Sequence, residues 1–522
     1  MSAIQTDATV RLSIHEAAFS LQTVSDLFKE LNLQGIRYCH WKSNLRLEKS
    51  LNGHTDLDLL VDQDHVDSFK KLLELHRVIP VLAPPGKDYP GIENYLGFDP
   101  VSGKLFHLHV HYRLVLGEQF VKNYHIPLED KFLDTDLFHH GVRIPPPELE
   151  LIILSIRALL KYRDRDVLKD LLSVRASGIP AEILAEIHWL SGQTSLEEVT
   201  RELRGISNLI PADIILEFLR TVTISPRSGY KFFVLRQRLR RALRIYQRNS
   251  RFQASFQYFL ETWRRHRSFF QNQPVRKMTL PGKGFSLALV GVDGSGKTTL
   301  SRELARWLSW KLDVRPYYLG SKKPSWMSRG FYLLFRSARR SHSIFSDLFG
   351  ENNFVSRVFA TIRQVILYGH YLAIGLDRYR RYLDGKRYAD GGSLVIYDRF
   401  PLAASLDGPR IEQVADDPGG RVARAFSGWE QRLYSKFQYP DLLIGLKLSP
   451  ATSLERKPDH KSEAIASKIQ SLNELSARLE ESPLGANWVE LNAELPLDDV
   501  ISLMKKEVWE FLVSGWRSHS SN

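Results

Sequence analysis

One string constrains this chain more than any other: Gly291-Val-Asp293-Gly294-Ser295-Gly296-Lys297-Thr298, which fits G-x-x-x-x-G-K-[ST] without a gap. It follows the apolar run from Phe285 to Val290 and precedes Leu300, Leu304, Trp307 and Leu308, which recur at helical spacing. The region is thereby committed to a strand, a tight turn and a helix. Glycines let the turn curl so that successive N–H groups point inward, and the following helix adds the positive end of its dipole. Such a cradle grips phosphate oxygens, with Lys297 reaching the outer phosphates and the Thr298 hydroxyl placed to ligate magnesium. Strand and helix patterns alternate from here onward. The expected fold is α/β, with a parallel sheet and helices on both faces.

The run from Val290 to Thr299 resembles the P-loop of thymidylate kinases, and four later segments extend the resemblance. Leu394-Val-Ile-Tyr-Asp398-Arg399-Phe400 is similar to the family's Asp-Arg-aromatic element, which implies a magnesium role for Asp398 and a phosphate-binding role for Arg399. Gly375-Leu-Asp377-Arg378 resembles the segment whose Arg grips the acceptor monophosphate. Tyr439 to Pro450, followed by Leu454-Glu-Arg456-Lys457, resembles a strand, a proline and a basic lid entry. Val489-Glu-Leu-Asn492-Ala493 resembles the last strand, beside the adenine. The resemblance implies ATP and Mg²⁺ as cofactors, held by Gly291, Asp293, Gly294, Ser295, Gly296, Lys297, Thr298, Thr299 and Asn492. It implies catalysis by Lys297, Arg378, Asp398, Arg399 and Arg456. In phosphoryl transfer such cations position donor and acceptor and screen the charge that spreads over the oxygens. Two stretches depart from the family: Lys322 to Arg340, which is basic and aromatic, and Asp407 to Arg410. The layout is similar to thymidylate kinase-like proteins of bacterial polysaccharide gene clusters.

Toward the front, Gly53-His-Thr-Asp56-Leu-Asp58-Leu-Leu-Val61 places two carboxylates on one face of a strand. The segment resembles the nucleotidyltransferase fold, which implies Asp56 and Asp58 as Mg²⁺ ligands and His40-Trp41-Lys42-Ser43-Asn44 as a phosphate-facing element. Leu105 to Tyr112 resembles the strand that carries a third acid, but position 109 is His. The alternating His107, His109 and His111 suit a transition metal better than magnesium. The expectation for them is imidazoles hydrogen-bonded on a half-exposed strand.

At 522 residues the chain exceeds one hydrophobic core. The expected division is a nucleotidyltransferase-like α+β domain at 1–144, a helical connecting region at 145–275 and the kinase-like domain at 280–522. Pro145-Pro146-Pro147 marks the first boundary and Leu280 to Gly284 the second. A single cysteine, Cys39, excludes a disulfide framework. With a polar first twenty residues, this points to a cytoplasmic chain.

Lys and Arg number 72 against 59 Asp and Glu, a formal charge of +13, and the excess is concentrated. Between Lys231 and Arg267 eleven basic residues meet one acid, Glu261. Arg236, Arg240, Arg241, Arg244 and Arg248 fall on helical spacing opposite Leu235, Leu239, Leu243 and Tyr246, as in a helix with one cationic face. The mixed stretch Trp326 to Arg340 is the better candidate for an acidic membrane surface or a bulky acceptor. The expected partners are a nucleotide or small-molecule phosphate acceptor and peripheral acidic membrane, ahead of nucleic acid. Three readings stay open: a Mg-ATP-dependent kinase, a nucleotidyltransferase working through Asp56 and Asp58, and a nucleotide-gated binding protein.

Overall fold

A computed structural model describes residues 20–117, 121–162, 179–224, 228–270, 277–320, 325–350, 353–402, 410–418, 420–458, 462–480 and 487–520. Lys322 and the segment 407–409 lie outside these residues. The chain divides into two compact units, Met1–Met278 and Thr279–Asn522.

The first unit is built on a mixed five-stranded sheet. Its strands are β1 (Tyr38–His40), β2 (Leu57–Val61), β3 (Ile79–Val81), β4 (Ile92–Asp99) and β5 (Lys104–His111), in the order β1-β2-β5-β4-β3. Only β2 and β5 run parallel, which sets Asp58 opposite His109. The period-two alternation sorts side chains between two cores. Leu57, Leu59, Phe106, Leu108 and Val110 face helices α1 (Gln22–Leu33) and α2 (Val66–Leu75), burying Leu27, Leu31, Phe69 and Leu72.

The other face, with Cys39, Trp41 and Leu60, is covered by a helical layer: α3 (Pro147–Lys161), α4 (Ala181–Ser191), α5 (Leu196–Gly205), α6 (Ala212–Ile224) and α7 (Gly229–Ala242). Pro147 starts α3 at a position where no intrahelical N–H is needed. The helices supply Ile152, Ile156, Leu159, Phe218, Phe232 and Leu239 to one continuous core with that face. The helical region is thus the second layer of this unit. Trp41 of this core packs edge-on against His111, and His107 and His111 are each only 1% exposed, rather than half-exposed as the alternation alone suggests.

The cationic face expected around α7 is interrupted. Arg236 is fully buried and donates to the carbonyl of Tyr162, which caps the C-terminus of α3, where a cation complements the helix dipole. Arg238 pairs with Asp213 and Glu217 at 2.5 and 2.6 Å. The helix also ends at Ala242, before Arg244 and Arg248, and α8 (Arg251–Phe270) follows.

The second unit is a wholly parallel sheet of β6 (Ser286–Gly291), β7 (Val314–Tyr318), β8 (Leu394–Asp398), β9 (Leu442–Lys447) and β10 (Trp488–Asn492). The order is β7-β8-β6-β9-β10. The chain leaves the central strand β6 toward one side and later returns to build the other, so the loop after β6 sits where the winding reverses, the place where such sheets bind ligands. Ala288, Val290, Val395, Tyr397 and Leu443 form one core with Tyr382 and Ala389 of α11 (Phe354–Asp390) and Leu472, Leu475 and Leu479 of α14 (Ser462–Glu480). Residues Leu287 and Leu289 alternate with them and face the opposite way.

Helix α9 (Lys297–Leu308) buries Leu300, Leu304 and Leu308, each contributing roughly 2 kcal/mol by area. α10 (Trp326–Phe349) and α11 pack as a helical pair, with α12 (Arg421–Tyr434) against α11; α13 (Pro450–Arg456) and α15 (Leu497–Ser520) complete the unit. No helix among the described residues is long and apolar enough to cross a membrane.

Candidate functional site

The loop joining β6 to α9 adopts the geometry its glycines permit. Gly294 and Gly296 both have φ +86°, where a side chain is strained, and a Cβ at Gly291 would lie 2.9 Å from the Leu446 carbonyl oxygen. The Lys297 ammonium folds back onto the loop, donating to the carbonyls of Gly291 (2.9 Å) and Val292 (2.7 Å). Burial pulls its pKa down to about 8, with Arg399 adding repulsion and Asp293 opposing both. Incoming phosphate oxygens are stronger partners for this ammonium than two neutral carbonyls. Ser295 Oγ is buried without a hydrogen-bond partner, and Thr298 and Thr299 are exposed on the first turn of α9.

Asp398 ends the buried strand β8, and parallel pairing with β6 carries it to the cradle. Thr298 Oγ1 donates to Asp398 Oδ2 at 3.1 Å, while Asp398 Oδ1 is buried with no hydrogen-bond partner. A hydroxyl and a carboxylate, one oxygen of which has no partner, are hard donors that fit Mg²⁺. Arg399 follows with φ +62°, the left-handed region that non-glycine residues seldom occupy. Its Cδ would lie 2.8 Å from a Cβ at Gly320, which explains a glycine there.

On the opposite side, Arg456 of α13 donates to the carbonyls of Gly294 (3.4 Å) and Ala493 (3.1 Å). Ser453 Oγ donates to the Asp293 carbonyl at 2.8 Å. Asp293 forms an ion pair with Lys468 of α14. Burial would raise the Asp293 carboxyl, but Lys468 pulls it below its usual value. Lys468 had no sequence signal, being one lysine in a polar helix. Asn492, at the end of β10, accepts from the Glu494 N–H and lines an open cleft of about 240 Å³ with Lys447, Ser449, Leu472 and Asn473.

Arg378 is 6% exposed on α11 and donates to the Tyr434 hydroxyl at 2.8 Å. Arg410 stacks on the same Tyr434 ring at 3.4 Å. One turn on from Arg378, Arg381 donates to the Tyr318 and Gly320 carbonyls (2.7 and 3.3 Å), at and just past the end of β7. Asp377 is spent differently: its Oδ2 accepts from Ser325 N–H and Ser328 Oγ, holding the start of α10. The structure therefore brings Lys297, Thr298, Asp398, Asp293, Arg399 and Arg456 together. Arg378 lies in a second basic group around Tyr434.

In the first unit, Asp56 and Asp58 have separate partners. Asp58 Oδ1 accepts from the Lys42 ammonium at 2.7 Å and meets His109 Nδ1 at 2.8 Å; Asp56 Oδ1 meets His107 Nδ1 at 2.8 Å. Among the described residues Asp58, His109 and His111 offer ligand atoms within 4.8 Å of one another, and Asp56 is not in that group. Burial alone would raise the Asp58 carboxyl; Lys42 and His109 hold it well below the carboxylate range. Burial pushes His109 down to about 4.

No family model matches the chain. It is similar to two Escherichia coli K12 proteins described as uncharacterized ATP-binding proteins. YghR is 28% identical over 254 residues, which cover 46% of this chain and 93% of YghR. YghS is 28% identical over 263 residues, which cover 45% of this chain and 94% of YghS. In both cases less than half of this chain is matched by nearly the whole of the relative, so a domain-sized portion of it has counterparts that stand as separate proteins.

Proposed function

We propose that the second unit is a Mg-ATP-dependent phosphotransferase of the nucleoside monophosphate kinase type. The observation that carries this reading is the cradle at Gly291–Thr298 with the Asp398 carboxylate 3.1 Å from Thr298. ATP-binding relatives and the parallel sheet support it. In this reading the loop N–H groups hold the triphosphate and Lys297 leaves its two carbonyls for the outer phosphates. Thr298 and Asp398 would hold Mg²⁺, which would offset the negative charge of the outer phosphates. Arg456 and Lys468 border the cradle on the side of the Asn492 cleft, which takes the base. Arg399 and Arg381, with Arg378 and Arg410 farther along, supply the positive surface for an acceptor that itself carries phosphate.

The acceptor is a nucleoside monophosphate such as dTMP or a phosphorylated cell-surface precursor. A panel of both classes assayed with γ-labelled ATP tests the reading. Label should pass to at least one acceptor, and Lys297→Ala should stop it. ATP turnover unchanged by that substitution overturns the assignment.

One surface favours a membrane-apposed setting for this reaction. On α10 the exposed Trp326, Leu333, Arg340 and Ile344 form a single stripe, flanked by Arg329, Arg336 and Leu348. The helix spans about 36 Å and contains four arginines and one acid, Asp347. Apolar side chains set among arginines suit the headgroup region of an anionic bilayer.

A further inference from the structure

Among its described residues the first unit gathers more cations than acids around Trp41. Lys42, at the end of β1, lies over the Trp41 ring at 4.7 Å, and Arg157 of α3 approaches the same ring at 5.5 Å. Trp41 in turn packs edge-on against His111 at 5.0 Å. Arg157 Nη1 is buried with no hydrogen-bond partner. Lys122, held at φ +40°, lays its ammonium over Tyr89 at 4.7 Å. Lys161 stands one helical turn beyond Arg157 at the exposed end of α3. Among the described residues neither Lys122 nor Lys161 makes an ion pair.

Burial and mutual repulsion act on this group together. Burial pushes the Lys122 ammonium down to about 7, with Lys42, Lys161 and Arg157 adding repulsion and Asp58 opposing. Lys42 is also lowered, by burial first. Acids nearby offset little. Glu150 is occupied by Asn44 at 3.0 and 2.8 Å, and burial lifts it to about 7. Glu186 adds a partial counter-charge for Lys161. Asp56 adds a weaker counter-charge for Lys42 and itself meets His107, which leaves Asp58, already bonded to Lys42.

We propose that Lys42, Lys122 and Arg157, with Lys161 at the rim, form a binding site for a phosphate-bearing small anion that needs no divalent metal. A buried guanidinium nitrogen and a half-buried ammonium with no ion-pair partner among the described residues cost stability unless a ligand meets them. An anion is the ligand that relieves both. The Lys42 ammonium, 2.7 Å from Asp58 Oδ1, stands where a metal would draw on that carboxylate. A dication at Asp58, His109 and His111 would face Lys42, Arg157 and Lys122 at short range and be repelled. This site is independent of the cradle at Gly291.

The test uses the full chain carrying Lys297→Ala, titrated calorimetrically with inorganic pyrophosphate in EDTA. One equivalent should bind. Adding Arg157→Gln or Lys122→Gln should weaken binding at least tenfold while circular dichroism and melting stay those of the parent. Asp58→Asn should tighten binding severalfold, because it removes the nearest opposing charge and frees Lys42. A metal site predicts the reverse for Asp58→Asn. No binding in EDTA, binding that appears only with Mg²⁺ or Zn²⁺, or binding indifferent to both Arg157→Gln and Lys122→Gln would each overturn the proposal.

Discussion

The Thr298 hydroxyl and the Asp398 carboxylate lie 3.1 Å apart although 100 residues separate them in sequence. β6 and β8 are parallel neighbours with Leu289 opposite Asp398, so the carboxylate emerges at the same edge as the cradle. Asp398→Asn keeps the shape and removes the charge. It is expected to lower turnover by about 100-fold and to raise the Mg²⁺ concentration needed for half-maximal rate. ATP binding in EDTA should change by less than about threefold, since the cradle N–H groups are untouched. A magnesium dependence unchanged in the variant would remove Asp398 from the metal site.

Lys297 makes a prediction about protons. Its folded pKa, about 8, lies below the usual lysine value, so near pH 8 about half the molecules carry a neutral amine before nucleotide binds. A bound triphosphate favours the charged form and raises the pKa, so binding at pH 8 should take up roughly half a proton. The uptake should fade toward pH 6.5, where the amine is already protonated. Calorimetry in buffers of different ionisation enthalpy measures it directly, and proton release at pH 8 would contradict the sign. For stability the same shift works the other way. With a folded pKa below the unfolded one, this group penalises the fold most below pH 8, and the penalty is relieved as pH rises toward 10.5.

Arg399 holds φ +62° at the end of a buried strand, a conformation costing about 1 kcal/mol for a residue with Cβ. Arg399→Gly removes that strain along with the charge. The urea midpoint should hold or rise while turnover falls by at least about tenfold. Arg378→Gly, inside helix α11, should lower the midpoint by contrast, because glycine costs about 1 kcal/mol in a helix interior. A fall in stability for Arg399→Gly equal to that of Arg378→Gly would mean that the backbone at 399 is not strained.

The exposed stripe on α10 should be read by vesicle co-sedimentation. Leu333→Glu with Ile344→Glu is expected to reduce binding to phosphatidylglycerol vesicles at least about fivefold, with little binding to phosphatidylcholine in either protein. Loss of a concentration-dependent dimer mass in the variant, with vesicle binding unchanged, would assign the stripe to a second copy instead.

The core makes a control. Leu304→Ala should cost about 3 kcal/mol in equilibrium unfolding, because Leu304 is wholly buried under the sheet. A cost below about 1 kcal/mol would show that α9 is not anchored as described.

The cradle was legible from its own string because glycine spacing, the strand before it and the helix after it are all local. The end of β8 was legible for the same reason, since its apolar run stopped at Asp398; β10, interrupted by Glu490, was placed through the resemblance of Val489 to Ala493 to a last strand. What each functional side chain touches was not. Nothing in the run around Lys468 points to Asp293, and nothing near Arg236 says that it turns inward to Tyr162. The histidine alternation in β5 was visible, but not that Trp41, itself packed under the helical layer, would lie against His111.

By itself the sequence determined where the backbone must turn, where glycine is required, and which apolar residues of an element share one face, since these follow from dihedral preferences and periodicity within a few neighbours. Only the tertiary structure decided the pairings: Thr298 with Asp398, Asp293 with Lys468, and Asp58 with Lys42 in place of Asp56. Those depend on strand order and on which helix covers which face, and that choice is made by burial summed over a whole unit.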